Sequence, residues 1–171
     1  LREFDEEYLI EYEAGFKGSL FENNLQLRLA IFKDDRRDQQ VKSSIVRPRP
    51  DGSTEFIDFL GNAAEGTNKG LETSIGWEIN PNWRLTFDAG LLKATFDQYT
   101  NEFGENLSGR DQAHAPRYMA SAGIRFSHGR WKATLTADTK DEFYFSDRHE
   151  VKSERATLAN FSIVYFSAPW Q

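Results

Sequence analysis

Hydrophobic and polar residues alternate along most of this chain. In YEAGFKGSLFENNLQL (residues 12–27), Tyr12, Ala14, Phe16, Gly18 and Leu20 fall on one side of an extended strand, and Tyr8 and Ile10 continue the row. Glu11, Glu13, Lys17 and Ser19 fall on the other side. Successive side chains of a strand point to opposite faces, so such a segment separates an apolar medium from a wet one. After a tight turn at ENN (22–24), Leu25, Leu27, Leu29 and Ile31 alternate with Gln26, Arg28 and Ala30. The charge run KDDRRDQQ (33–40) follows, and a polar strand continues towards Val46. RPRPDGS (47–53) carries the Pro and Asp-Gly signature of a turn, and residues 54–60 begin the return strand. GNAAEGTNKG (61–70) reads as a bulge or kink within one long strand.

Beyond it Leu71, Thr73, Ile75, Trp77 and Ile79 alternate with Glu72, Ser74, Gly76 and Glu78, and NPN (80–82) forms the next turn. Trp83, Leu85, Phe87, Ala89 and Leu91 then oppose Arg84, Thr86, Asp88 and Gly90. Residues 98–116 are polar and Gly-containing and read as a loop. Tyr118, Ala120, Ala122, Ile124 and Phe126 alternate with Met119, Ser121, Gly123 and Arg125. After SHGR (127–130), Trp131, Ala133, Leu135 and Ala137 face away from Lys132, Thr134, Thr136 and Asp138. A charged loop at 147–155 and a last strand at 157–166 complete the pattern.

The fold class is all-β: an antiparallel meander of about seven strands, with no convincing helix. Its short turns (ENN, NPN, SHGR and the SAP near the C-terminus) fall at one end, and its longer connections (47–53, 98–116, 147–155) at the other. That sorting is the outer-membrane barrel pattern, in which ENN is a periplasmic turn. Tyr12, Trp77, Trp83, Tyr118 and Trp131 lie at or near strand ends, where an aromatic girdle would meet the headgroups. The opposite row mixes signs: Glu11, Glu13, Lys17, Arg28, Glu72, Glu78, Arg84, Asp88, Arg125, Lys132 and Asp138. Two alternatives stay open at this point, a passive small barrel and a soluble β-sandwich binding module. The small barrel requires the first and last strands to pair. The sandwich requires Phe16, Leu27, Ile75 and Phe87 to be buried between two sheets. An odd strand number leaves an open edge, so either a strand is uncounted or these 171 residues are part of something larger.

Composition narrows the choice without deciding it. With no cysteine, neither a disulfide framework nor a thiolate metal site can form. A net charge of -6 lacks the concentrated basic surface that nucleic acid requires. Mean hydropathy is -0.66 and no run approaches a membrane helix, yet a transmembrane strand shows only one face to lipid. The chain begins with Leu1 and carries no signal peptide, which suggests a processed, trimmed or partial chain.

Four stretches carry a family resemblance. EEYLIEYEAGFKGSLFENNLQLRLAIFKDDRRDQQV (6–41) resembles a barrel strand pair of the TonB-dependent outer-membrane receptors: a Tyr-Glu-x-Gly-x-Lys strand, a short turn, and a strand ending in Phe and an acidic-rich tail. GNAAEGTNKGLETSIGWEINPNWRLTFDAGLLKATFDQY (61–99) resembles the next unit, LSGRDQAHAPRYMASAGIRF (107–126) the loop entering the following strand, and DEFYFSDRHE (141–150) a further family segment. The resemblance implies a single barrel domain over 1–171, in the later part of a 22-stranded barrel whose N-terminal plug is absent here. It also implies an outer-membrane receptor of a Gram-negative bacterium that imports a scarce ligand, most often a ferric siderophore or similar iron chelate. The partners implied are membrane lipid and lipopolysaccharide, the plug and remaining strands, and the TonB complex through an N-terminal region. No cofactor, resident metal or nucleic acid is implied.

Candidate ligand-binding residues lie in the long connections. Arg47 and Arg49 flank Pro48 in one, and Arg110 and His114 sit in another; guanidinium groups at a lumen mouth offer fixed multi-donor contacts to an anionic chelate. Tyr99, Phe103, Tyr144 and Phe145 supply aromatic contact. No catalytic constellation is present: His114, His128 and His149 lie in different connections, and Ser146, Asp147 and His149 are too close in sequence to form a nucleophile–base–orienter set. Asp34, Asp35 and Asp38 lack the alternating ligand spacing of a calcium loop and read as a solvated rim.

Overall fold

A computed structural model describes residues 5–101, 104–147 and 150–167; within the strands, the side chains of 42–46, 56–61 and 63 are not described. Seven strands follow one another: β1 (Tyr8–Leu20), β2 (Leu25–Pro48), β3 (Thr54–Asn80), β4 (Trp83–Tyr99), β5 (Tyr118–His128), β6 (Trp131–Lys140) and β7 (Ala156–Tyr165). They form one antiparallel sheet in sequence order, with β1 and β7 at its two edges. The two do not pair among the described residues, so the closed small barrel is not what these residues build.

The register joins the apolar rows into one continuous face. Phe16 is opposite Leu29, Leu27 opposite Ile75, Ile75 opposite Phe87, Leu85 opposite Ile124, and Leu135 opposite Phe161. In each strand this row runs for about nine residues, the length a tilted strand needs to cross a bilayer core. Among the described residues no second sheet covers it: Phe16 is 56% exposed and Phe161 68%. The sandwich alternative fails on that point. Burial of one such side chain is worth about 1.5–3 kcal/mol, so the face as a whole is unstable against water and stable against lipid.

The opposite face is concave and charged. Glu13, Lys17, Arg28, Glu72, Asp88, Ser121 and Asp138 line a concavity of about 900 Å³. Opposite signs meet across neighbouring strands, as where Arg84 holds Glu78 at 2.6 Å, and the Ser121 hydroxyl donates to Asp138 at 2.7 Å. Glycine has a packing role here. Phe32 lies over Gly70, where an added Cβ would sit 2.6 Å from the ring and 2.3 Å from the Leu91 carbonyl oxygen.

The short turns are built by different local chemistry. Between β3 and β4 the Asn80 side chain accepts from the Asn82 and Trp83 amides at 2.9 and 3.1 Å, closing the turn around Pro81. Gly129 takes φ +57 in the two-residue turn between β5 and β6. The β1–β2 turn instead puts Phe21, Glu22 and Asn23 in left-handed backbone, at φ 52, 56 and 71. Two of these are poorly suited to that region. At this end of the sheet Trp83 packs on Phe126 at 4.7 Å and Trp131 on Tyr165 at 4.8 Å, so aromatic pairs sit at this rim of the apolar face.

Candidate functional site

β2, β3 and β4 continue past the end of the apolar outward rows, and the pattern inverts there. Leu91 belongs to the outward row, while Leu92, Ala94 and Phe96 lie on the other face and Lys93, Thr95 and Asp97 alternate with them. Register shifts opposite Gln39 and between Glu65 and Gly66 kink the strands, with Asp38 at φ 53. These bulges confirm the interruption expected at 61–70. They turn Val41, Ala64, Phe96 and Tyr99 together into a small core, with Leu107 packed against it. Phe96 is 0% exposed and lies 4.7 Å from the Tyr99 ring.

β5 covers β4 only as far as Leu91, so the upper part of β4 would present unpaired backbone groups. The loop at 100–117 supplies the missing partner. Gly109 N–H donates to Phe96 O at 2.7 Å, Phe96 N–H to Arg110 O at 3.0 Å, Gln112 N–H to Ala94 O at 3.0 Å, and Leu107 N–H to Tyr99 O at 2.8 Å. The buried Gln112 side chain donates to Thr95 O at 3.1 Å. Gly66 makes room for it, since a Cβ there would lie 2.6 Å from Gln112 Nε2.

A second loop, 141–155, folds onto the first. Asp147 accepts from the Ala113 amide at 2.7 Å, and Tyr144 O from the His114 amide at 2.9 Å. Arg110, with a side chain only 10% exposed, donates to the carbonyls of Asp147 at 3.0 Å and Ser146 at 3.3 Å, and meets Glu150 at 3.4 Å. Its guanidinium lies 4.3 Å from the Tyr144 ring centroid, and Lys152 lies 4.5 Å from the same ring. Beside this cluster Arg117–Asp111, Arg155–Asp141 and Lys152–Glu142 pair at 2.8, 2.7 and 2.9 Å around a cleft of about 90 Å³. The carboxylates of Asp111, Asp141 and Glu142 raise the pKa values of Arg117, Arg155 and Lys152 respectively, so all three cations keep their charge.

Four of the expected ligand residues therefore come together: Arg110, His114, Tyr144 and Phe145. The His114 and Phe143 rings are 5.8 Å apart, and Phe143 meets Phe145 edge-on at 5.6 Å. Tyr99 lies in the buried core, 4% exposed, and packs the loop rather than facing the cleft. Arg47 and Arg49 are at the tip of the β2–β3 hairpin, where Arg49 meets Glu55 at 3.3 Å. Phe103 and His149 lie outside the described residues. Asp147, Gln112 and Gly66 organise the site, yet little in the sequence marks them, because each acts on a residue distant along the chain. Phe96 had a signal: the paired leucines at 91–92 show the apolar row changing face.

The family model described as TonB dependent receptor-like, beta-barrel matches residues 2–170. Among solved structures, the ferric yersiniabactin uptake receptor FyuA from Yersinia pestis superposes with a TM-score of 0.71 at 17% identity, covering 93% of this chain and 22% of that one. The ferric-catecholate import receptor Fiu from E. coli K12 gives 0.69 at 17% identity, covering 97% and 22%. The copper transporter OprC gives 0.66 at 12% identity, covering 95% and 24%. This chain thus spans under a quarter of the length of each. An unclosed meander with a lipid-type outer face, a charged concave face and latched long loops agrees with these matches: the chain belongs to the TonB-dependent receptor-like β-barrel family.

Proposed function

We propose that these residues form the later part of the barrel of an outer-membrane active-transport receptor in a Gram-negative bacterium, and that the receptor imports an iron chelate with energy coupled through TonB. The observation that carries the reading is the family match over 2–170 on a sheet whose outer row is apolar for one bilayer thickness. On this reading residues 1–171 are one partial barrel domain. The concave face then meets a plug supplied by the rest of the receptor, and the outward face meets lipid and lipopolysaccharide.

The loop cluster would form one sector of the ligand mouth, with His114, Tyr144, Phe145 and Arg110 as contact residues, and Arg47 and Arg49 reaching in from the neighbouring hairpin. Guanidinium and aromatic side chains at such a mouth suit an anionic chelate, to which they offer fixed multi-donor contacts. The test is uptake of radiolabelled ferric chelates by an iron-starved strain, with and without the receptor. The reading expects uptake that needs both the receptor and TonB. Unchanged uptake of every ferric chelate in the deletion strain, alongside loss of copper accumulation, would overturn it.

A further inference from the structure

A short arch of backbone joins the two long loops. Gln112 N–H donates to Ala94 O at 3.0 Å, and Leu92 N–H donates to Arg117 O at 2.9 Å. Gln112 and Arg117 are five residues apart in the chain, yet they bond to β4 residues only two apart. Residues 113–116 therefore stand off the edge of the sheet with both feet fixed on β4. Their amides are spent on the other loop. Ala113 N–H donates to the Asp147 carboxylate at 2.7 Å, and His114 N–H to Tyr144 O at 2.9 Å.

The other loop has order of its own. Phe145 N–H donates to Val151 O at 3.1 Å and Ser153 N–H to Phe143 O at 2.8 Å, so 143–145 and 151–153 pair as a small hairpin. The arch clips this hairpin in place, and it can change shape most readily at one residue. Gln112 and Arg117 are tied to β4, while Pro116 fixes its own φ and disfavours helical backbone at Ala115. His114 is in left-handed backbone, at φ 59, which costs a residue with a Cβ more than it costs glycine. Its ring lies 5.8 Å from that of Phe143 but the residue is exposed, so backbone bonding rather than burial holds this conformation.

We propose that His114 is the release point of this clip. When its backbone turns from left-handed to extended, the Ala113 and His114 amides leave Asp147 and Tyr144. The hairpin then swings off as a unit, while the segment ending at Gln112 stays paired with β4. Strain at His114 persists only while the hairpin is docked, so it lowers the cost of opening. The Arg110 bonds to the Ser146 and Asp147 carbonyls oppose release, which leaves the clip closed but poised. The motion carries Tyr144 and Phe145 away from Arg110. The proposal rests on the ligand-mouth reading for its role, and on backbone geometry for its existence.

The test is residue-level hydrogen exchange on the ligand-free, full-length receptor, as wild type and as His114→Gly, His114→Ala and His114→Val. Gly and Ala both remove the ring, so their difference reports the backbone. Relative to Ala, Gly should raise protection of the amides at 113 and 114 roughly threefold to tenfold, its relief of left-handed cost being partly offset by a freer open state. Val, branched at Cβ, should lower that protection below the Ala value. The Gln112, Phe145 and Ser153 amides should keep their protection in all four proteins. Equal protection at 113 and 114 in the Gly and Ala variants would overturn the proposal. Loss of Gln112 protection alongside Ala113 would also overturn it, because the whole loop would then be leaving β4. So would loss at Phe145 and Ser153, because the hairpin would then be unfolding rather than swinging. Failure of the transport reading shows in the uptake measurement instead, so the two failures are distinguishable.

Discussion

The wall and the crown of this sheet use the same strands with opposite polarity. In the wall, below Lys33, Lys69 and Lys93, apolar side chains point outward, and stability depends on lipid outside and charge pairing within. In the crown the apolar residues turn inward, and Val41, Ala64, Phe96 and Tyr99 build a water-excluded core like that of a soluble protein. One strand can serve both because its two faces are independent, and β4 makes the exchange within two residues, Leu91 and Leu92. The comparison teaches that a row of hydrophobic residues names its medium only together with its neighbours.

Four experiments separate the two regions, taken from the largest expected effect. Phe96→Ala empties the crown core and should cost about 3–5 kcal/mol locally. Hydrogen exchange should rise across 94–113 and stay unchanged in the wall strands β5 to β7. Phe87→Arg, in the middle of the outward row, should lower stability in lipid vesicles by about 2–4 kcal/mol, whereas Asp88→Asn on the concave face should cost under about 1 kcal/mol. Urea titration in vesicles measures both, and equal effects would break the assignment of faces.

Arg110→Ala removes the guanidinium that bonds the Ser146 and Asp147 carbonyls. A loss of about 1.5–3 kcal/mol is expected for such charged hydrogen bonds, read as faster proteolysis of the 141–155 loop with the barrel intact. The smallest effect concerns pH. Burial pushes the Glu7 carboxyl upward, but the Arg36 hydrogen bond, the Gln40 amide and the Arg36 charge together hold it below its ordinary value. A depressed folded pKa stabilises fully above the ordinary value of 4.5 and fades as pH falls through the folded one. Exchange at 36–40 should therefore rise in acid before the wall responds, and Glu7→Gln should abolish that difference.

Much of the wall was legible in the sequence. Period-two alternation located every strand, because the alternation is a local property, and the short and long connections fall at opposite ends of the sheet as expected. The crown was legible only in part. The bulge at 61–70 could be expected from its glycines and asparagines, but its partner bulges at Asp38 and Asp97 depend on which residues face each other. Residues 98–116 read as a loop; in the structure part of that segment pairs with β4, since an uncovered edge takes up whatever backbone lies within reach. Tyr99 is among the expected ligand residues; in the structure it is 4% exposed and packs on Phe96, because the strand turns inward above Leu91. Arg110, His114, Tyr144 and Phe145 come together through hydrogen bonds between two loops, which no sequence spacing specifies.

The inversion of faces is the central claim, and one labelling experiment tests it most directly. These residues contain no cysteine, so single cysteines at Phe87, Leu91, Asp88 and Ala94 can each carry an environment-sensitive fluorophore in vesicles with and without brominated lipid. Quenching at Phe87 and Leu91, with none at Asp88 or Ala94, is the predicted result. Quenching at Ala94 equal to that at Leu91, or none at Phe87, would contradict it.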